Sequence, residues 1–276
     1  MMDSGNRENC ETREYSENRE CSETREYSDN APARLRERCA EAGLALQENA
    51  EGLTLCGNGL ELRGDFTRML PRLRPGNLQR EFLVKASRIK GLGERPFAVD
   101  ATAGLGEDSI LLAAAGYFVR MYEHNPVIAA LLRDALRRAA EIPELKEYAS
   151  RMELVEGDST EALLKMARQA LDAEASAAAQ ETEFPAVPDL ILLDPMFPAR
   201  QKSALIGKKL QLLQKLEMPC ASEEALLAAA LGTGARRVVV KRPLKGPYLA
   251  GKKPDYDITG KAIRYDCYVI ARKAEA

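Results

Sequence analysis

The sequence predicts an α/β chain in which a doubly wound, mostly parallel sheet follows a small α+β subdomain. Three observations carry this. After Pro96, short apolar runs alternate with helix-length segments, and strands separated by helices require right-handed crossovers that cover both faces of a parallel sheet. The loops after those runs hold the chain's least ordinary residues, at the strand ends where such sheets bind ligands. Finally, 276 residues at 45% hydrophobic suit one core of ordinary size plus an appendage.

The elements follow in order. Residues 32–42 have helical composition. Leu53–Leu55 and Leu60–Arg63 read as a hairpin across Cys56-Gly57-Asn58-Gly59. Pro71, Pro75 and Gly76 punctuate a loop, and Leu78–Lys90 returns to helix, completing a subdomain over residues 31–94. Within residues 95–276, strands are predicted at Phe97–Asp100, Phe118–Glu123, Met152–Val155, Leu190–Leu193, Val238–Val240 and Tyr265–Ile270. Helices are predicted at Glu107–Ala115, Val127–Ala140, Ser159–Leu171 and Ser222–Leu231, and the Ala-rich stretch Ala173–Pro188 reads as an extended loop.

Composition narrows the function. Lys+Arg 40 against Asp+Glu 42 leaves a net charge of -2, so no global charge advertises a nucleic-acid partner, although a local patch remains possible. Six scattered cysteines without a Cys-x-x-Cys pair, and a lone His124, argue against zinc sites and metal chemistry. No apolar run reaches membrane length and the amino terminus lacks the apolar stretch of a secretory signal, so a cytoplasmic protein is expected. Residues 1–30 carry an imperfect twelve-residue duplication, with nine acids against four arginines. Almost without aliphatic side chains, they cannot offset ordering entropy and read as a disordered acidic tail.

The first strand-end loop runs from Asp100 to Asp108. Gly104 and Gly106 allow a tight turn and close backbone approach. Glu107 and Asp108 suit a pyrophosphate poorly at a helix amino terminus, but suit a cationic ligand such as S-adenosylmethionine. Glu123 ends the second strand and can accept ribose hydroxyls, with His124 beside it. Asp158, before Ser159, either accepts from the adenine amine or caps the following helix. The fourth strand delivers Asp194-Pro195-Met196-Phe197-Pro198. Its prolines stiffen the loop and aim the Asp194 carboxylate and the Pro195 carbonyl at one point, beside an aromatic face able to stack a base.

Together these residues resemble the class I S-adenosylmethionine-dependent methyltransferases, which implies a Rossmann-like, seven-stranded sheet. The Asp194–Phe197 segment is similar to the Asp/Asn-Pro-Pro-aromatic motif of exocyclic-amine methyltransferases, with Met196 where the second proline stands. DATAGLGEDS, RMYEHNPVIAALL, LLDPMFPARQKSAL, RRVVVKRP and RYDCYVI more narrowly resemble the RsmJ family, bacterial enzymes acting on guanine N2 of 16S rRNA in the small ribosomal subunit. The resemblance implies S-adenosylmethionine as cofactor. It puts cofactor contacts at Glu107, Asp108, Glu123, His124, Asp158, Ser159 and Asp194, beside Asp100, Gly104 and Gly106 of the loop, and acceptor contacts at Asp194, Pro195 and Phe197.

From Pro195 to Pro254, twelve basic residues face three acids, which fits phosphate contacts by Arg200, Lys202, Lys208, Lys241 and Arg242. The residues alone leave open an adenine-N6 or protein-amide methyltransferase, a non-catalytic RNA-binding protein of the same fold and, weakly, a nicotinamide dehydrogenase. The narrow resemblance favours guanine.

Overall fold

The computed structural model of the chain describes residues 31–175, 185, 187–195, 212, 215–216 and 222–270. The acidic repeat and most of the Ala-rich stretch lie outside the described residues.

Helix α1 (Ala31–Glu41) leads into a three-stranded antiparallel sheet of β1 (Ala45–Asn49), β2 (Gly52–Gly57) and β3 (Leu60–Leu62). The expected hairpin turns on Asn58 and Gly59, both with positive φ (52° and 67°), the left-handed pair whose twist matches the flanking strands. Strand β1 was not anticipated: of its five residues only Leu46 is buried, so it has no apolar signature.

A 3-10 turn (Phe66–Met69), α2 (Leu70–Leu73), α3 (Pro75–Leu78) and α4 (Phe82–Ser87) follow. This corrects two expectations. Pro71 and Pro75 do not mark a loop but stand in the first turns of α2 and α3, where a missing N–H breaks no helical bond. The helix expected over Leu78–Lys90 is interrupted at Glu81, whose backbone is extended (ψ 130°) and whose carboxylate takes both Nε and Nη2 of Arg72 at 2.8 Å.

The main sheet comprises β4 (Phe97–Asp100), β5 (Phe118–Glu123), β6 (Met152–Glu156), β7 (Leu190–Leu193), β8 (Arg237–Pro243), β9 (Tyr256–Thr259) and β10 (Ile263–Val269), in the order β6-β5-β4-β7-β8-β10-β9. Pairings from β6 to β8 are parallel, and β10 runs antiparallel to both its neighbours. The crossovers carry α5 (Glu107–Ala114), α6 (Pro126–Ala140), α7 (Pro143–Ala149), α8 (Ser159–Ala175) and α9 (Glu223–Gly232). Helix α8 runs on through Ala175, so the extended loop expected from Ala173 is helical at its start.

Strands β4 and β7 are buried at every residue, which is why they read as unbroken apolar runs. Their side chains alternate between two cores. Leu190 and Leu192 belong to one core with Ile110, Leu112, Phe66 and Leu83, while Ile191 and Leu193 belong to the other with Leu163, Leu226 and Leu227. The small sheet packs Leu44, Leu55 and Leu62 onto Val127 and Leu131 of α6, joined by Leu212 and Leu216. Among the described residues, no helix is long and apolar enough to cross a membrane.

Candidate active site

The chain builds β4, β5 and β6 outward in one direction, then returns to place β7 on the other side of β4. The carboxyl ends of β4 and β7 flank this switch point, where open α/β sheets bind their ligands. Asp100 closes β4, Glu123 closes β5, and Asp194 follows β7 immediately. Lys241 lies within β8, because that strand extends to Pro243 rather than stopping at Val240. Leu193 pairs with Val240, so Asp194 and Lys241 are neighbours at the same level.

Asp100 lies beneath the glycine loop and not in the open cleft, being 2% exposed. One oxygen accepts from the Thr102 amide at 3.1 Å and the other from the Ser109 hydroxyl at 2.5 Å. Burial, reinforced by the charges of Asp108 and Asp194, pushes its pKa up to about 7. Thr102 then reaches across the switch point, where its hydroxyl accepts the Asp194 amide at 2.6 Å. Sequence reasoning missed Thr102 because a β-branched residue in a strand-end loop carries no chemical signature of its own.

Gly104 and Gly106 both have positive φ, 55° and 77°, but only Gly106 is also hemmed in. A Cβ there would stand 2.8 Å from Leu132 and 3.0 Å from Phe66. The Gly104 amide donates to Glu123 at 3.0 Å, and the Asn125 amide reaches the other Glu123 oxygen at 2.8 Å. Glu123, 7% exposed, has its pKa raised by burial against the pull of those amides, and each oxygen retains a lone pair for a hydroxyl donor. Asn125 caps α6 through the Val127 and Ile128 amides and donates to the Leu216 carbonyl.

His124 is exposed beside Glu123. Asp158 is exposed and caps α8, accepting from the Thr160 amide at 2.7 Å, and Ser159 opens that helix. The cap leaves its second oxygen unengaged by that bond.

At the centre, the Lys241 ammonium lies 2.5 Å from Asp108 Oδ2 and 2.9 Å from Asp194 Oδ2. Burial disfavours the ammonium, but the two carboxylates outweigh it and hold its pKa well above the ordinary lysine value. Asp194, with 38% of its side-chain surface open, has its pKa raised by poor solvation, opposed by Lys241 and reinforced by Asp108. Tyr265 pairs with Lys241 across the β8–β10 ladder. Glu107 is exposed on the first turn of α5. Asp108 and Asp194 around a single lysine, at a helix start that itself carries two acids, suit a cationic ligand and oppose a phosphate. That donor set fits S-adenosylmethionine.

The basic stretch is corrected in part. Arg242, expected on the RNA, is 1% exposed. Its Nε donates to the Pro247 carbonyl at 2.8 Å, and its guanidinium faces Glu223 at 3.7 Å. Lys241 is turned into the acid cluster rather than outward. Arg236 donates to the Lys90 and Gly91 carbonyls and Arg237 to those of Ala86 and Arg88. Among the described cations of the stretch, Arg236, Arg237, Lys241 and Arg242 are therefore engaged by the protein's own acids and carbonyls. Pro195 is buried beside Asp194, whereas Phe197, Arg200, Lys202 and Lys208 lie outside the described residues.

The family described as "Putative SAM-dependent methyltransferase" matches residues 33–270. The ribosomal RNA small subunit methyltransferase J of Pseudomonas aeruginosa is 39% identical over 234 residues, covering 83% of each chain. That of Thioalkalivibrio sulfidiphilus is 41% identical over 256 residues, covering 85% of this chain and 94% of its own. The crystal structure of a SAM-dependent methyltransferase from Neisseria gonorrhoeae superimposes with a TM-score of 0.61 at 30% identity, covering 90% of this chain and 96% of that one. With its glycine loop, its acid cluster and these relatives, the chain belongs to the RsmJ family of SAM-dependent ribosomal RNA small subunit methyltransferases.

Proposed function

We propose that the chain methylates the exocyclic N2 of a guanine in 16S rRNA, using S-adenosylmethionine, in the cytoplasm. The observation that carries this reading is the junction of the two loops at the switch point. There Thr102 of the glycine loop holds the Asp194 amide and Lys241 joins Asp194 to Asp108 on α5. In this reading one loop serves both the cofactor side and the acceptor side of the cleft.

In this reading Asp108, with Glu107, Glu123, His124, Asp158, Ser159 and Asp194, holds the cofactor over Gly104 and Gly106. The bound cofactor supplies an electrophilic methyl group on a sulfonium centre. The protein's own task is to orient an amine whose lone pair is delocalised into the base. The Asp194 carboxylate and the Pro195 carbonyl accept its two N–H bonds, which favours the pyramidal, nucleophilic form, while Phe197 stacks on the guanine. Transfer would exchange the sulfonium's S–CH3 bond for the new N–C bond, with S-adenosylhomocysteine as the leaving group; the alkylated nitrogen becomes acidic, so its proton passes to Asp194 or water without a stronger base. Lys241 opposes the rise in the Asp194 pKa that poor solvation causes. Most of the rate gain then comes from positioning.

The test is transfer of labelled methyl to small ribosomal subunits that lack the modification, followed by nucleoside mass spectrometry. N2-methylguanosine is the expected product; no incorporation, or another methylated nucleoside, overturns the reading. In the same assay Asp194→Ala should lose turnover by about 10²–10³-fold with the far-ultraviolet dichroism of the folded chain. Near-normal turnover would remove Asp194 from the mechanism.

A further inference from the structure

Residues 66–90 hold seven basic side chains, Arg68, Arg72, Arg74, Arg80, Lys85, Arg88 and Lys90, against the single acid Glu81. That acid is already engaged by Arg72. The excess is concentrated in a chain whose overall charge is -2, and it escapes notice when averaged with the acid-rich residues before it. Of the seven, all but Arg72 are exposed.

The side chains converge. Arg80, Asn77 and Phe82 line a shallow concavity of about 360 Å³ together with Pro71, Arg72 and Glu81. Phe82 is 39% exposed, and the Lys85 ammonium stands 5.0 Å from its ring centroid. The Arg88 guanidinium reaches back to Gln79 Oε1, next to Arg80 in the chain. An outward-facing ring among guanidinium and ammonium groups joins the two elements that single-stranded nucleic acid needs: a π-face for a base and cations for the phosphates on either side.

The patch also lies at the correct end of the molecule. The Phe82 ring packs on Gly260, where a Cβ would come within 3.1 Å of it. Gly260 sits in the turn between β9 and β10, its amide donating to the Ile263 carbonyl. Ile263 pairs with Pro243, two residues beyond Lys241. Phe82 therefore stands at the active-site end of the sheet, on the β8–β10 side. Arg72 is near enough for its charge to act on Tyr265 and to be acted on by Asp108.

We infer that the α3–α4 surface formed by Arg80, Phe82, Lys85 and Arg88 docks a single-stranded stretch of the substrate RNA, stacking one base on Phe82 and holding the adjoining phosphates. The inference rests on the RNA substrate of the proposed function and adds the surface by which that RNA is gripped beyond the target base. None of the four residues touches the acid cluster, so binding and chemistry are separable.

The experiment uses the full chain in the methyl-transfer assay, with KM for the RNA substrate, kcat and the calorimetric Kd for S-adenosylmethionine measured for each variant. Arg80→Ala combined with Lys85→Ala should raise the RNA KM by about tenfold, and the slope of log affinity against log salt should become shallower by about 1.4, two single-strand phosphate contacts. Phe82→Ala should raise the RNA KM by about 5–100-fold with little change in salt slope. In both, kcat and the cofactor Kd should stay within about twofold. Wild-type KM and salt slope in the Arg80/Lys85 variant, with the wild-type chain active on RNA, overturn the docking surface alone. A wild-type chain that transfers no methyl to RNA overturns the substrate reading, and this surface with it.

Discussion

At the carboxyl ends of β4, β5 and β6 the site's acids are met by backbone or by a neutral hydroxyl, although Glu153 and Glu156 of β6 itself pair with Arg120 and Arg133. Glu123 takes the Gly104 and Asn125 amides, Asp100 the Thr102 amide and the Ser109 hydroxyl, and Asp158 the Thr160 amide. On the β7-β8-β10 side they are met by charged side chains. Asp194 shares Lys241 with Asp108, Glu223 faces Arg242, and the buried Asp266 takes Nε and Nη2 of Arg264 at 2.5 and 3.0 Å. A carboxylate held by backbone amides has partners that no side-chain change removes. One held by an ammonium depends on a partner that can be removed, and its own pKa moves when the partner goes. The first arrangement suits a cleft that must be preformed for a cofactor, and the second suits a group that must stay ionised while it handles protons.

The contrast is tested most strongly at Lys241. In Lys241→Met, Asp194 faces Asp108 without their shared cation and keeps the charge of Asp100, Arg242 and the Tyr265 hydroxyl as its other neighbours. Loss of an adjacent positive charge raises a carboxylate pKa by about 1–3 units. The acidic limb of kcat/KM should move up by that amount, with activity reduced at neutral pH and recovering as pH rises. Lys241→Arg should restore the profile. An unmoved limb would mean that Lys241 only fills space.

Asp100 tests the other side. Its folded pKa of about 7 lies above the ordinary aspartate value, so the native state holds a proton that the unfolded chain has released. The stability associated with that proton is complete below about pH 4 and is lost as pH rises through about 7. Asp100→Asn keeps the hydrogen-bonding shape without the charge. It should flatten this decline, gaining up to about 4 kcal/mol relative to wild type above pH 7, read from urea midpoints at pH 5 and pH 8. Parallel wild-type and variant curves would show that the buried carboxyl is better solvated than its geometry implies.

The smallest effect separates two glycines of one loop. Gly106→Ala meets both a left-handed backbone and the Leu132 and Phe66 side chains, and should cost about 2–4 kcal/mol. Gly104→Ala meets only the backbone penalty, about 1–2 kcal/mol. Equal shifts in thermal midpoint would remove close packing as the reason for the second glycine.

Much of this was legible because buried parallel strands advertise themselves. Phe97–Asp100 and Leu190–Leu193 are apolar at both faces and bounded by loops with chemistry in them. Strands β1 and β9 were not legible: Ala-Leu-Gln-Glu-Asn and Tyr-Asp-Ile-Thr lie at sheet edges with mainly solvated side chains, so no alternation appears. Helix α7 was hidden by Pro143, which reads as a breaker but serves as its first residue. In the site, the acids were legible from their places after strands. Their counter-ion was not, since Lys241 was counted among the surface cations of a basic stretch. Charge sums over a window record how many cations there are and nothing about which way a strand turns them.

Arg236 and Arg237 have a consequence for how the protein is made. Their guanidinium groups fasten the carbonyls of Ala86, Arg88, Lys90 and Gly91, across sequence separations of 145–151 residues. During synthesis the segment just before the first central strand emerges early but cannot be fastened until β8 has left the ribosome. Native closure of that segment is thus deferred almost to the end of translation, and pairings of such long range make for slow folding. A truncated chain lacking β8 should leave it open to proteases however well the earlier strands have formed.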